Sequence, residues 1–145
     1  MTILAATDGA SRGNPGESGI GIHITDEKGA VLVSVGKFIG LATNNVAEYQ
    51  ALLTCLGYVA SLPCEKLIVQ SDSELMVRQV NGQYKVKDTT LKRFFQQVQA
   101  KLTALPFPVE IRHVTREQNR YADQLANRAI NLRRDVTDLE SPFQS

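Results

Sequence analysis

Leu4-Ala5-Ala6-Thr7-Asp8-Gly9 opens the chain with a short apolar run that ends on a carboxylate, and Ile68-Val69-Gln70-Ser71-Asp72 repeats the ending in its middle. Short aliphatic runs bounded by turn residues read as strands buried on both faces, the pattern of parallel sheets covered by helices. Functional groups in open α/β sheets collect at the carboxyl ends of such strands. If these two runs are parallel neighbours, Asp8 and Asp72 meet at one end of the sheet.

The rest of the chain supplies the elements that pairing needs. After the first run comes a loop over 9–16, rich in Gly, Ser, Asn and Pro. Residues 19–25 and 30–41 read as strands joined through the hairpin turn Asp26-Glu27-Lys28-Gly29. The period then becomes helical over 43–62, with Tyr49, Leu52, Leu53, Leu56, Val59 and Ala60 on one stripe and Pro63 as the stop. The second run predicts a strand over 66–70, followed by a short helix over 73–80 that ends near Asn81-Gly82. A helix over 90–105 closes at Pro106 and Pro108, and a strand over 109–114 leads into a helix over 116–132. Leu125, Ala126, Ala129 and Leu132 form the inward stripe of that last helix. This order predicts an α/β domain with one mixed sheet, an antiparallel meander extended by two parallel strands through helical crossovers. The domain is expected over 1–134, with 135–145 a C-terminal tail that is either loosely packed or folded back on the domain through Phe143.

The 145 residues, 43% hydrophobic, suffice for one core and exclude wholesale disorder. No apolar run approaches the roughly 18 residues of a membrane span. The opening residues lack a basic stretch followed by an apolar one, so no secretory leader is expected. Cys55 and Cys64 form no disulfide or zinc framework, which fits a reducing, cytoplasmic setting. The net charge of +1 conceals a polarised chain. Residues 1–77 hold 4 basic and 8 acidic side chains, whereas 78–134 hold 12 basic and 4 acidic. Such asymmetry points to nucleic acid or to a set of solvated helix faces.

Four carboxylates stand at ends of elements: Asp8, Asp72, Glu48 early in its helix and Asp123 in the second turn of the last one. If they converge, they cannot all ionise without a counter-charge, and oxygen donors of this kind suit magnesium or manganese. Each also has a local role open to it. Glu48 follows Asn45 at capping-box spacing, as Glu74 follows Ser71, and Asp72 fits a helix N-cap. Asp8 suits a turn before Gly9, and Asp123 can pair with Arg120.

The string Thr7-Asp8-Gly9-Ala10-Ser11-Arg12-Gly13-Asn14-Pro15-Gly16 resembles the first motif of type 1 ribonuclease H. Thr43-Asn44-Asn45-Val46-Ala47-Glu48 is similar to its second motif and Ser71-Asp72-Ser73 to its third. His113, ten residues before the Asp123 of Ala122-Asp123-Gln124-Leu125-Ala126, resembles the fourth. The resemblance runs in order from Ile3 to about Leu132 and implies a five-stranded mixed sheet flanked by helices. It implies that Asp8, Glu48, Asp72 and Asp123 bind two Mg2+ ions, with Mn2+ as a substitute, and that His113 assists proton movement or product release. The reaction it implies is endonucleolytic hydrolysis of the RNA strand of RNA/DNA hybrids, leaving 5′-phosphate and 3′-hydroxyl ends. Gly13, Asn14, Thr43, Asn44, Asn45 and Ser73 fall where the family meets the hybrid, with Thr43 at a DNA phosphate. Helix capping is the competing role for Asn44 and Asn45, and a strand-end structural role for His113. His23 carries no such support and reads as structural.

Two features depart from the family. There is no Trp, and the basic protrusion that many members carry after the third motif is shortened to Gly82-Gln83-Tyr84-Lys85-Val86-Lys87-Asp88-Thr89-Thr90-Leu91-Lys92-Arg93. Lys85, Lys87, Lys92 and Arg93 remain for phosphates, so modest affinity with steep salt dependence is expected. No obligate protein partner is expected, and the chain reads as a monomer. Three other readings stay open: a same-fold nuclease for RNA–DNA junctions or double-stranded RNA, a non-catalytic RNA-binding module, and a DNA exonuclease. The last expects a Glu two residues after the first Asp, where this chain has Ala10.

Overall fold

The structure, a computed structural model, describes residues 1–137. Strands β1 (Thr2–Ser11), β2 (Gly16–Asp26) and β3 (Val31–Ala42) form the antiparallel meander, and helix α1 (Asn44–Val59) follows. Then come β4 (Lys66–Ser71), α2 (Glu74–Val80), α3 (Thr89–Ala104), β5 (Val109–His113), a single 3-10 turn at Glu117–Asn119, and α4 (Arg120–Leu132). A short β6 (Val136–Thr137) ends the described chain, and the sheet order is β5-β4-β1-β2-β3-β6.

The expected α/β mixed sheet is present, with six strands rather than five. The sixth comes from the start of the predicted tail, where Val136 pairs with Gly36 and Thr137 with Val35. Val136 is buried among Leu125, Ala129 and Phe38, and Asp135 Oδ1 accepts from the Phe38 N–H at 3.2 Å. Two residues carry no periodicity, so a strand this short leaves no trace in the sequence pattern. The remainder of the tail, with Phe143, lies outside the described residues.

Register decides where the motifs meet. β1 lies parallel to β4 with Thr7 opposite Ser71, and β4 lies parallel to β5 with Ser71 opposite His113. Asp8 and Asp72 are each the next residue after that pair, so the two aspartates emerge side by side. The predicted 9–16 loop is shorter than expected, because β1 continues through Ser11 and β2 begins at Gly16. Gly9-Ala10-Ser11 has the composition of a turn, yet its small residues let the strand run on beneath α1. A Cβ on Gly9 would lie 2.6 Å from the Ala47 carbonyl oxygen and closer to Glu48 N.

The sheet has two unlike faces. On one, Ile3, Ala5, Ile20, Ile22, Ile24, Leu67, Val69 and Ile111 pack against α1 through Leu52, Cys55, Leu56 and Val59. On the other, α4 lies over Gly19, Gly21 and Gly36. A Cβ on Gly21 would stand 2.8 Å from the Ala122 carbonyl carbon and closer still to its oxygen, so the helix backbone touches the strand backbone there. Ala122, Ala126 and Ala129, all buried, complete this thin interface.

Helix limits differ from the predicted ones at their ends. α1 stops at Val59 rather than at residue 62, because Ser61 N–H and Leu62 N–H close tighter three-residue turns onto Tyr58 O and Val59 O. The predicted 116–132 helix is split, with the 3-10 turn ahead of α4, which puts Asp123 in the first turn of α4 rather than the second.

Candidate active site

Thr43 caps α1, its hydroxyl accepting from Val46 N at 3.2 Å, so Asn45–Glu48 is not the capping box of that helix. Glu48 instead points inward one turn into the helix and is 4% exposed. Its Oε1 accepts from the Gly9 N–H at 2.8 Å. That N–H lies beyond the last residue of β1 paired with β4, so the glutamate takes the place of a missing ladder partner. Ser73, not Asp72, caps α2, accepting from Met76 N at 3.3 Å, while Ser71 Oγ accepts from the Ser73 N–H at 3.1 Å. Asp72 is therefore free of capping duty and held at the end of β4 by its neighbours.

One carboxylate oxygen each from Asp8, Glu48 and Asp72 falls within 4.8 Å of the others. Burial, then the negative charges of Glu48 and Asp72, raise Asp8 far above the usual carboxylate range. Burial likewise raises Glu48, against the opposing effect of the Gly9 N–H, with Asp72 and Asp123 adding repulsion. Ion pairs among the described residues engage Asp123, through Arg116 at 4.0 Å, but none of the three clustered carboxylates. Three converging acid groups with no protein cation fit a divalent ion held by oxygen donors.

Asp123 joins from the opposite side. Asp8 lies on the α4 face of the sheet, opposite Gly21, and α4 carries Asp123 over it. All four carboxylates line one open cleft of about 620 Å³, together with His113, Asn44, Ser73, Arg12, Arg116 and Asn127. His113 is the last residue of β5 and is exposed to the cleft. Gln70 and Asn119 fasten the approach to α4. Gln70 Nε2 donates to Gln118 O at 3.0 Å, and the buried Asn119 Nδ2 donates to Thr7 O at 2.8 Å, beside Asp8.

The residues predicted to meet substrate divide between this cleft and a second depression of about 360 Å³. Asn44 and Ser73 line the first, while Asn14, Thr43 and Asn45 line the second with Asp88 and Thr90. Asn14 Oδ1 accepts from the Asn44 N–H at 3.2 Å, tying the β1–β2 turn to the start of α1. Gly13, with φ of 140°, makes the turn itself. His23 packs against Tyr121 at 5.0 Å between ring centres and hydrogen-bonds Ser34 Oγ at 2.9 Å, away from the cleft. Sequence reasoning missed Arg12, Arg116 and Asn127 in the cleft wall, and Asn119 as the residue that ties the start of α4 to β1. Asn119 and Asn127 flank Asp123 at helical spacing, which is the signal that was available.

A family model described as reverse transcriptase-like matches residues 6–129. Among curated proteins, the chain is 39% identical over 132 residues to a bifunctional protein of Mycobacterium tuberculosis, covering 90% of this chain and 36% of that protein. It is 37% identical over 129 residues to ribonuclease HI of Halobacterium salinarum, covering 89% of this chain and 64% of that one. The chain thus spans about a third of the mycobacterial relative and under two thirds of the halobacterial one. Among solved structures, LC11-RNase H1 in complex with an RNA/DNA hybrid superposes with a TM-score of 0.85 at 43% identity, covering 90% of this chain and 98% of that one. RNase H1 from Halobacterium salinarum superposes with a TM-score of 0.86 at 36% identity, again over 90% and 98%.

Proposed function

Because the chain belongs to the type 1 ribonuclease H family, we propose that it is an endonuclease that hydrolyses the RNA strand of RNA/DNA hybrids. The observation that carries this reading is the cluster of Asp8, Glu48 and Asp72 oxygens within 4.8 Å, without a protein cation, in a cleft that Asp123 completes. The donor set fits divalent metal, and we assign it to two Mg2+ ions, with Mn2+ as substitute. Bound there, such ions supply Lewis-acid activation of water and stabilise the departing 3′ oxygen.

The protein's own part is positioning and charge. Asp8 and Asp72, side by side at the strand ends, are assigned to hold both ions. Glu48 has one oxygen fixed by the Gly9 N–H, which leaves the other directed at the cleft and at a substrate 2′-hydroxyl. Asp123 serves from α4. His113, exposed at the rim, takes or returns a proton at its imidazole or aids product departure. Asn14, Asn44 and Asn45 present amides suited to a minor groove, with Thr43 at a DNA phosphate, Gly13 giving backbone access and Ser73 at the cleft wall. The products are a 5′-phosphate and a 3′-hydroxyl. We assign the ribonuclease H domain to residues 1–134, to whose sheet Val136–Thr137 adds the edge strand, acting as a monomer on the hybrid without an obligate protein partner. The free thiols Cys55 and Cys64 support a cytoplasmic setting. No helix of the described residues is long and apolar enough to cross a membrane.

Strand-labelled hybrid, duplex RNA, duplex DNA and RNA–DNA junctions, each with Mg2+, Mn2+ or chelator, test this reading. Metal-dependent cutting confined to the RNA of the hybrid is expected. Preference for junctions or duplex RNA, cutting of duplex DNA, or activity that survives chelation overturns it.

A further inference from the structure

The four carboxylates are not held alike. Asp8 and Glu48 are buried, with the half-buried Asp72 close beside them, whereas Asp123 stands on a separate helix with 27% of its side chain exposed. Its orientation therefore depends on what touches it. Asn127, one turn further along α4, donates through Nδ2 to Asp123 Oδ1 at 3.1 Å and to the Asp123 backbone oxygen at 3.0 Å. The other end of the same amide, Oδ1, accepts from Arg12 Nη2 at 3.1 Å. Arg12 belongs to the β1–β2 turn, 115 residues away in sequence, and the same nitrogen also donates to Asn131 Oδ1 at 2.8 Å. The guanidinium thus reaches across from the turn of the first motif to the helix of the fourth.

From this geometry we infer that Asn127 is a positioning residue for Asp123, and that Arg12 acts through it by fixing which way the amide faces. Arg12 has donors only, so it can contact the Asn127 carbonyl oxygen but not its NH2 group. That choice leaves the NH2 group directed at Asp123. One oxygen of Asp123 is thereby committed to the protein, and the other is left for a cation in the cleft. The inference rests on the proposed metal-dependent reading and concerns how this chain readies its fourth ligand. A side-chain hydrogen bond between residues four apart also occurs as simple helix support, so the test must separate metal affinity from stability.

The comparison uses wild type, Asn127→Ala, the isosteric Asn127→Asp, Arg12→Ala, Asn131→Ala and the Arg12→Ala/Asn127→Ala pair. Mn2+ binding is followed by calorimetry, the metal dependence of hybrid cleavage by a titration, and folding by thermal melting. Loss of a partner that orients a metal ligand weakens metal binding by about tenfold or more. Asn127→Ala is expected to show that loss with its metal-free melting temperature nearly unchanged. Asn127→Asp, which sets an acceptor and a charge against Asp123, is expected to lose more. Arg12→Ala is expected to lose less, and the double variant no more than Asn127→Ala alone, since Arg12 works through the amide. Asn131→Ala removes an Arg12 contact without touching Asp123 and is expected to leave metal binding at the wild-type value. Wild-type metal affinity in both Asn127 variants overturns the inference, as does a metal loss that follows the melting temperature. Failure of the wild type itself to bind Mn2+ or to cut hybrid overturns the proposed function instead.

Discussion

α1 and α4 each deliver one carboxylate to the same cleft, yet they dock on the sheet by opposite means. α1 rests on a layer of isoleucine, leucine and valine, and brings Glu48 in buried and bonded to the Gly9 N–H. α4 has almost no side-chain layer beneath it, since its backbone approaches Gly19, Gly21 and Gly36 directly. The first arrangement sets position through many adaptable contacts. The second sets it through backbone contact, and leaves the rotation of Asp123 to its polar neighbours. A thick interface tolerates change by repacking, whereas a thin one has nothing to repack.

The most severe test lies in the cleft to which both helices contribute. Asp72→Asn removes one charge from the cluster while keeping its shape, and cleavage of hybrid is expected to fall by about a thousandfold or more. The fold should survive, because Ser73 and not Asp72 caps α2. Near-normal turnover by this variant, measured on labelled hybrid, would remove the basis for the metal assignment.

The two docking modes themselves separate in stability. Gly21→Ala forces a methyl group into the Ala122 backbone and is expected to cost about 3 kcal/mol, the upper range for overpacking. Ile22→Val, next in sequence but on the α1 face, is expected to cost only about 1 kcal/mol. Denaturant unfolding measures both. Equal costs would mean that α4 shifts as readily as α1 repacks.

Charge in the cluster gives a third contrast, between metal-free and metal-bound protein. Asp8 is raised to about 10 and Glu48 to about 8, both mainly by burial. A carboxyl whose value rises on folding binds its proton more tightly in the folded state. Its contribution to stability is complete below the ordinary value near 4 and fades as pH rises toward the folded one. The metal-free protein should therefore melt at progressively lower temperature between about pH 5 and pH 9, and Mg2+ should restore more stability at the alkaline end. Asp72→Asn, with less repulsion to relieve, should flatten both trends. A metal effect that shrinks as pH rises would contradict the buried-cluster account.

The comparison of α1 and α4 also explains what was legible in the sequence. The carboxylates could be read because each ends or begins a regular element, and element ends survive as turn and cap residues in the string. Two runs that finish alike would bring Asp8 and Asp72 together if their strands were parallel neighbours, and the register of β1 with β4 meets that condition. The continuation of β1 through Ser11 could not, because Gly9, Ala10 and Ser11 carry turn composition for a packing reason. Nor could Gly21 and Gly36 be recognised as a helix seat, since only the folded sheet aligns them under Ala122 and Leu125. Asn127 could have been noticed from its helical spacing to Asp123, but its link to Arg12 could not, because 115 residues separate the two.

The mildest contrast concerns how α4 is held at its far end. Beyond the glycine contacts, Leu125 and Ala129 meet Val136 of β6, the one aliphatic side chain that the short last strand places there. Val136→Ala removes two methyl groups from a nearly sealed site, which amounts to about 1–2 kcal/mol of lost burial. Because Asp123 sits in the first turn of α4 and Val136 packs near the last turns, the loss should appear in unfolding without a matching loss of metal affinity. Backbone contact at Gly21 and the Asn119 bond to Thr7 keep the catalytic end of the helix in place. If Val136→Ala instead weakens Mn2+ binding in proportion to stability, α4 moves as a rigid rod, and the glycine seat is a pivot rather than an anchor.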